Sequence, residues 1–243
     1  MAGPHDAKMA HIHPPKRSPP VRSSSVLLWC SVLLTLVHRS ARLGNPSAKD
    51  YPPWMMLRQL AASLKNNPGE LVHVDTPVRH AAVAVIFRPN LDLLFIKRAE
   101  FDGDPWSGHM ALPGGRVEST DVDGCAAVMR EVSEEVGIEL DRSELLGQMS
   151  QVASPVMTTR VIVTPFVFRL QKDPSLKLDG KEVAAAHWFS IDRLLSDEGR
   201  GVFDYEYAGQ HIELSRVDLD GERVWGMTLR IVDELLTRIR SAP

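Results

Sequence analysis

The chain has 243 residues, of which 44% are hydrophobic and 24% charged, and this composition excludes collagen-like, coiled-coil and wholly disordered proteins. Its formal net charge of −3, from 28 Lys and Arg and 31 Asp and Glu, provides no general attraction to nucleic acid or anionic membranes. The charge is uneven, because residues 1–54 hold seven basic residues and only two acidic ones. The two cysteines, Cys30 and Cys125, do not make a disulfide framework, so a reducing compartment is expected.

Residues 1–54 are predicted to form a basic extension outside the folded domain. The first 25 residues are rich in proline and too poor in apolar residues to build a core. The apolar run that follows, residues 26–37, has twelve residues, whereas a membrane-spanning helix needs about 20. We expect a disordered or wrongly assigned extension, with Met55 or Met56 as the real start, and a cytoplasmic protein without stable membrane insertion. The alternatives are a membrane anchor or a secretory signal with a poor cleavage site.

Downstream of this extension, apolar periodicity predicts one α/β domain. Helical spacing from Met55 to Leu64 ends at the helix-breaking Asn66–Gly69, so residues 55–75 are assigned to an N-terminal helix and linker. Residues 76–243 are assigned to the domain itself. Its predicted strands are Ala81–Phe87, Leu91–Ile96, Val161–Leu170 and Ala184–Phe189, and its predicted helices are Val122–Val136 and Thr228–Ile239. Because strands and helices do not alternate strictly, a mixed, partly antiparallel sheet is expected.

The segment with the clearest chemistry is the predicted helix Val122–Val136. Three carboxylates, Glu131, Glu134 and Glu135, are predicted to project from one face within a single turn. The opposite, apolar face comprises Val122, Ala126, Met129, Val132 or Ser133, and Val136. Like charges at these spacings destabilise an isolated helix by about 0.2 to 0.5 kcal/mol per pair. A divalent cation would offset this repulsion, since Mg²⁺ and Mn²⁺ prefer carboxylate oxygens, and the alternative is a solvated acidic face partly neutralised by Arg130.

The residues around this helix closely resemble the Nudix box, G-x5-E-x7-R-E-U-x-E-E-x-G-U, where U is aliphatic. Gly115 is followed after five residues by Asp121, and after eight more by Arg130–Ile138, REVSEEVGI, which fits every fixed position of the second half. Asp121 stands where the box usually has glutamate, and one extra residue precedes Arg130. The resemblance covers roughly Thr76 to the C-terminus and implies the Nudix α/β/α sandwich with a mixed central sheet.

A narrower resemblance is to Nudix proteins of the coenzyme A pyrophosphatase type, which tend to carry the same extra residue. Asp121 and Asp123 fall in the acidic stretch that this subgroup has after the double glycine. Four further segments look like the subgroup: Leu94–Arg98, Gly108–Gly115, Val163–Val167 and Val224–Thr228. Two positions depart from it, because His109 replaces a usual Gln and Trp106 a usual His. These two residues either stack on a base or pantetheine or only pack the loop.

The resemblance also implies roles for single residues. Metal binding would fall to Glu131, Glu134 and Glu135, with the Gly115 carbonyl as a further ligand. Arg130 would orient these glutamates by hydrogen-bonded pairing. A metal held there would neutralise a diphosphate and lower the pKa of an attacking water.

Other residues are candidates for proton transfer and substrate binding. The general base is predicted to be either Glu134 or Glu182, which shortly precedes a strand containing tryptophan. Lys97 and Arg98 end a strand near the loop and are candidates for phosphate binding. Gly114 permits close approach of the backbone to a ligand.

The resemblance implies a hydrolase, dependent on Mg²⁺ or Mn²⁺, that cleaves a diphosphate bond in a nucleoside diphosphate derivative. The expected substrate is coenzyme A or acyl-CoA, cleaved to 3′,5′-ADP and phosphopantetheine. The alternatives are hydrolysis of ADP-ribose, a dinucleotide or a nucleoside triphosphate, or a non-catalytic nucleotide-sensing module. A prenyl diphosphate isomerase is disfavoured because the chain lacks the catalytic cysteine. A small-molecule partner, no nucleic acid and a possible homodimer are expected.

Overall fold

The computed structural model describes residues 53–73, 78–102, 104, 106–154, 161–207 and 210–241. The chain divides into two units, Met1–Gly44 and Asn45–Pro243, and every described residue belongs to the second. Residues 1–52 of the predicted extension, and residues 74–77 around the predicted domain start, lie outside the described residues. Within the described part, no helix is both long enough and apolar enough to cross a membrane.

Helices and strands follow one another irregularly along the described chain. The helices are α1 (Pro53–Asn66), α2 (Gly124–Val136), α3 (Ile191–Leu195) and α4 (Gly226–Arg240), with a 3-10 turn at Arg142–Glu144. The first strands are β1 (Arg79–Phe87), β2 (Asp92–Arg98), β3 (Met110–Ala111), β4 (Gly114–Arg116), β5 (Leu145–Gln148) and β6 (Val152–Ala153). The later strands are β7 (Val161–Arg169), β8 (Val183–Ser190), β9 (Arg200–Tyr207), β10 (Gln210–Leu219) and β11 (Glu222–Trp225).

The main sheet is mixed, as the sequence predicts. Strands β3, β2, β1, β7 and β5 lie side by side, and β4, β6 and β8 pair with β1, β7 and β2, respectively. The pairing of β1 with β7 is parallel, from Arg79 opposite Val161 to Phe87 opposite Arg169. The other pairings in this sheet are antiparallel, including the hairpin of β1 and β2.

Both faces of this sheet are covered by helices. Alternate residues of a strand point to opposite faces, so Val85 of β1 faces one core and Ala84 the other. The first core contains residues of α1 and α4, including Leu60 and Leu235. The second contains residues of α2, including the fully buried Val132, and burying such a side chain contributes about 1.5 to 3 kcal/mol. The predicted α/β/α sandwich is therefore confirmed.

Helix α2 begins later than predicted, and this changes its buried face. The Asp123 backbone is extended, and its carboxylate accepts a 2.7 Å hydrogen bond from the Ala126 N–H, which makes it the N-cap. Val122 therefore lies before the helix and is 85% exposed, so its prediction as a core residue is wrong. The helix ends at Val136, as predicted, because Gly137 caps its C-terminus with φ of 70°.

A second sheet of β9, β10 and β11 was not among the predicted elements. Its three strands are antiparallel, and a two-residue turn at Asp220 and Gly221 joins the last two. Both turn residues have positive φ, 52° and 88°, as a two-residue hairpin turn of type I′ requires. This sheet places aromatic side chains near the loop that precedes β3.

Candidate active site

The two glycines before α2, Gly114 and Gly115, are required because neighbouring atoms leave no space for a Cβ atom at either position. Gly114 has φ of 140°, and a Cβ atom there would lie 2.2 Å from the Ala82 carbonyl oxygen of β1. A Cβ atom on Gly115 would lie 2.4 Å from the carboxyl carbon of Glu131. The two residues therefore let the β4 backbone pass between β1 and the first glutamate of α2.

Glu135 is buried, so it is not part of the solvated acidic face that was the alternative prediction for this helix. Its side chain accepts a 2.8 Å hydrogen bond from the Gly114 N–H, and the residue is only 4% exposed. The pKa of Glu135 is raised to about 8, mainly by burial and also by the negative charges of Glu131 and Glu182, while the Gly114 hydrogen bond and the charge of Arg98 oppose this rise. A cation beside this carboxylate would favour its ionised form.

Glu131 and Glu182 belong to the same acidic cluster. Burial is the main cause of the raised pKa of Glu131, and the charges of Glu134 and Glu182 add to it while Arg130 opposes it. Glu182 is exposed and lies just before β8, where its carbonyl oxygen accepts a 2.8 Å hydrogen bond from the Ala99 N–H. The structure thus brings all four glutamates of the predicted site together.

Arg130 pairs with carboxylates on both sides of the cluster. Its guanidinium donates hydrogen bonds to Glu131 at 2.9 Å and to the exposed Glu134 at 3.1 Å. It also donates to both carboxylate oxygens of Asp121, at 3.2 and 3.1 Å, and these bonds raise the pKa of Arg130 and lower that of Asp121. Asp121 thus anchors the arginine, a role that the sequence analysis did not assign to it.

The donor chemistry of this cluster fits a hard divalent cation. In the described part of the chain, no three His, Cys, Asp or Glu side chains already converge closely enough to enclose a metal ion. Two of the carboxylates are instead paired with Arg130, and one of these, Glu134, is exposed. After burial, the negative charges of neighbouring glutamates contribute to the raised pKa values of Glu131 and Glu135, so positive charge placed beside them would favour their ionised forms. Mg²⁺ or Mn²⁺ would supply that charge through oxygen ligands.

The two candidates for phosphate binding have different surroundings. Arg98 forms a 2.7 Å ion pair with Asp104, and its charge acts on Glu135, so it lies beside the acidic cluster. Its buried Nε atom has no hydrogen-bond partner among the described residues. Lys97 forms a 2.8 Å ion pair with Glu222 of β11 instead. Only Arg98 is therefore shown next to the glutamates.

Trp106 and His109 lie in a group of aromatic rings. Their ring centroids are 6.0 Å apart, and the His109 ring is 5.0 Å from that of Trp225. Burial is the largest cause of the lowered pKa of His109, and the charge of Arg98 adds to it. The packing that was one of the two predictions for these residues is present, and both rings remain partly exposed.

Gly115→Ala is expected to weaken metal binding while the fold is retained. The new methyl group would displace the end of the flexible Glu131 side chain, because the Gly115 backbone itself is compatible with alanine. We expect the dissociation constant for Mn²⁺, measured by calorimetry, to rise by about 10- to 100-fold, as when groups that orient metal ligands are altered. Gly201→Ala is the control, since its Cβ would make only an ordinary 3.6 Å contact with Arg216. Equal Mn²⁺ affinities of Gly115→Ala and wild type would contradict the role of Glu131 as a ligand.

Several known proteins are similar to this chain in sequence or in structure. The NUDIX domain family matches residues 77–207. The uncharacterized Nudix hydrolase NudL of Cronobacter sakazakii is 33% identical over 68% of this chain and 85% of its own length. The uncharacterized protein C14C4.10c of Schizosaccharomyces pombe is 36% identical over 51% of this chain, but the match spans only 45% of that protein. The MutT protein of Methanosarcina mazei Go1 has a TM-score of 0.48 and 21% identity, covering 70% of this chain and 99% of its own.

The family match covers more than half of the chain, and the bacterial relative exceeds 30% identity over most of its length. Both agree with the glutamate-bearing helix and the double glycine described above. The chain therefore belongs to the Nudix family of pyrophosphohydrolases.

Proposed function

We propose that this protein hydrolyses the diphosphate bond of coenzyme A or acyl-CoA in the presence of Mg²⁺ or Mn²⁺. The products would be 3′,5′-ADP and phosphopantetheine or its acyl derivative. The proposal is narrower than the family activity, which is hydrolysis of nucleoside diphosphate derivatives, because specificity in such folds depends on loops outside the shared motif.

One observation carries the choice of substrate: three segments that resemble the coenzyme A subgroup meet in space. The Arg98 N–H at the end of β2 donates a 3.0 Å hydrogen bond to the His109 carbonyl oxygen. The Thr228 hydroxyl at the start of α4 donates a 3.4 Å hydrogen bond to the carbonyl oxygen of Met110. Segments far apart in the sequence thus border one region beside Glu135. Residues that share a substrate are expected to lie together in this way.

The residues of this chain would act on such a substrate as follows. A divalent cation bound by Glu131, Glu134 and Glu135 would supply charge neutralisation for the diphosphate and would acidify water. Arg98 would bind a phosphate oxygen of the substrate through its guanidinium. This interaction would take the place of its ion pair with Asp104.

We assign the general base to Glu182. Its side chain forms no hydrogen bond or ion pair with any residue that the structure describes, whereas Glu134 is held by Arg130. A general base must reach the proton of the attacking water, and a carboxylate that is not held in an ion pair is free to do so. Glu182 would take the proton of the attacking water at a carboxylate oxygen, and the phosphoryl group would pass to that water as the diphosphate bond breaks.

A substrate panel tests this proposal. The full chain is incubated with coenzyme A, acetyl-CoA, ADP-ribose, NADH, a dinucleoside polyphosphate and ATP, each with Mg²⁺ and with Mn²⁺, and the products are identified by mass. We expect kcat/KM for coenzyme A or acetyl-CoA to exceed that for each other compound by at least about tenfold, which is about 1.4 kcal/mol of transition-state binding. If ADP-ribose, a dinucleotide or ATP is cleaved faster than coenzyme A, that compound is the substrate and the proposal is wrong. Binding without cleavage of any compound would indicate a nucleotide-sensing module.

A further inference from the structure

Outside the acidic cluster, the most unusual feature is a group of partly exposed aromatic rings. Strand β9 contributes Phe203 and Tyr205, strand β11 contributes Trp225, and the loop before β3 contributes His109. The Trp225 ring centroid lies 5.0 Å from His109, 5.0 Å from Tyr205 and 5.3 Å from Phe203. Rings at these distances stabilise one another, yet all four remain partly accessible to solvent. We call these four residues the aromatic cluster.

The aromatic cluster lines a groove rather than a flat surface. The groove has a volume of about 560 Å³, and all four rings contribute to its lining. This volume falls in the range of about 300 to 1,000 Å³ that is usual for small-molecule sites. Partly exposed aromatic side chains that line a groove of this size suit a flat, conjugated ring.

The charges around the groove suit an anionic ligand. Two acidic residues line it, and both are already paired: Asp218 with Arg216 and Arg223, and Glu222 with Lys97 at 2.8 Å. Of the residues that line the groove, one is basic, Arg223, and each of the two acidic ones is held in an ion pair by a basic side chain. The Arg223 guanidinium lies 4.7 Å from the Phe203 ring centroid, so this positive charge borders the ring itself. A flat ring that carries a phosphate matches both the rings and the charge.

The groove is connected to the acidic cluster by a short stretch of chain. His109 lines the groove, and Gly115, six residues later, contacts Glu131. Six residues span at most about 20 Å even when fully extended, so the two sites are no farther apart than the length of an extended dinucleotide-sized molecule. Arg98 lies between them, since its N–H donates to the His109 carbonyl oxygen and its charge acts on Glu135.

We propose that the aromatic cluster binds the nucleobase of the diphosphate substrate while the diphosphate lies at the glutamates. This inference rests on the proposed function and adds a requirement to it: the substrate carries a base, and a base-free phosphate ester is bound poorly. The recognition surface is formed by the β9–β11 sheet, which follows the Nudix box in the chain, and by His109, which precedes the box.

The test measures base recognition without catalysis. AMP and ribose 5-phosphate are titrated into the full chain in EDTA by calorimetry. We expect AMP to bind wild type at least about tenfold more tightly than ribose 5-phosphate. Phe203→Ala and Tyr205→Ala should each weaken AMP binding by about 5- to 150-fold, the usual effect of removing one stacking ring, and leave ribose 5-phosphate unchanged. Val202→Ala is the matched control, because Val202 is 52% exposed on the same strand and does not line the groove.

The proposal is overturned if AMP and ribose 5-phosphate bind wild type equally, or if the ring substitutions weaken both ligands alike. Should an alanine variant fail to fold, Phe203→Leu replaces it and saturation-transfer NMR is recorded on wild type, where base protons of AMP should be saturated more strongly than ribose protons. Equal saturation would again refute base stacking. Because no metal or turnover is involved, AMP recognition by a protein that cleaves no diphosphate would refute the proposed function alone.

Discussion

Glu135→Gln is expected to stabilise the metal-free protein and to remove its response to divalent cations. In the metal-free fold the pKa of Glu135 is about 8 against an ordinary 4.5, so folding at pH 7 requires this group to take up a proton. The neutral glutamine avoids that requirement, which is worth roughly 3 kcal/mol at pH 7 and raises Tm by roughly 5 to 10 °C. Its amide oxygen can still accept the Gly114 N–H. Thermal unfolding with EDTA and with Mn²⁺ measures both effects, and activity should fall about 10²- to 10³-fold.

The pH dependence gives an independent check on Glu135. A carboxyl whose pKa is raised in the fold binds more protons folded than unfolded, so its contribution to stability is lost as pH rises. Metal-free wild type should lose stability from about pH 4.5 to about pH 8, and Glu135→Gln should reduce this loss, leaving the smaller part due to Glu131. Glu213→Gln, on an exposed residue of β10, is the control. A Glu135→Gln protein that Mn²⁺ stabilises as much as wild type would show that Glu135 is not a ligand.

Glu182→Gln is expected to lower kcat by about 10²- to 10⁴-fold while Mn²⁺ affinity stays close to that of wild type. This is the usual contribution of a general base, and glutamine cannot accept the proton of water. The acidic limb of the kcat profile against pH should disappear in this variant. Glu134→Gln should instead weaken Mn²⁺ binding, because we assign Glu134 to the metal. Steady-state kinetics across pH and Mn²⁺ calorimetry separate the two roles.

Lys181→Gln is the control for disturbance of the loop, because Lys181 is the exposed neighbour of Glu182. Its kcat is expected to match that of wild type. If Glu134→Gln loses the acidic limb at unchanged Mn²⁺ affinity while Glu182→Gln keeps its rate, the general base is Glu134.

Apolar periodicity predicts the elements that bury one regular face. Helix α4 is an example, because Leu229, Leu235 and Leu236 repeat at helical spacing and all are buried. The β9–β11 sheet is missed, although residues 211–215 and residues 216–219 each alternate between polar and apolar and Asp220-Gly221 is a strong hairpin signal. The aromatic cluster depends on that sheet. From the sequence alone, Trp106 and His109 are therefore the only aromatic residues predicted as candidates for substrate binding.

The sequence predicts which residues form the site better than it predicts how deeply each of them is buried. The helical repeat brings Glu131, Glu134 and Glu135 together, and the structure confirms this proximity. It does not by itself decide which of them is buried. A usable signal exists, because Glu135 lies three residues after Val132 and therefore continues the apolar stripe that packs on the sheet. How deeply it is buried depends on β4, whose position is set by pairing with β1 and is not encoded in the helix.

The late start of α2 has a consequence for how the Nudix box tolerates a change in length. An extra residue inside a helix would rotate everything after it by about 100° and turn the glutamates away from the sheet. Here α2 begins only at Gly124, so the connection between Asp121 and the first helical turn has room for the added residue. Asp121 still pairs with Arg130 across the longer connection. The direction in which the glutamates project from the helix therefore does not depend on the length of this connection. The connection before α2 can therefore vary in length while the catalytic face of the helix keeps its orientation.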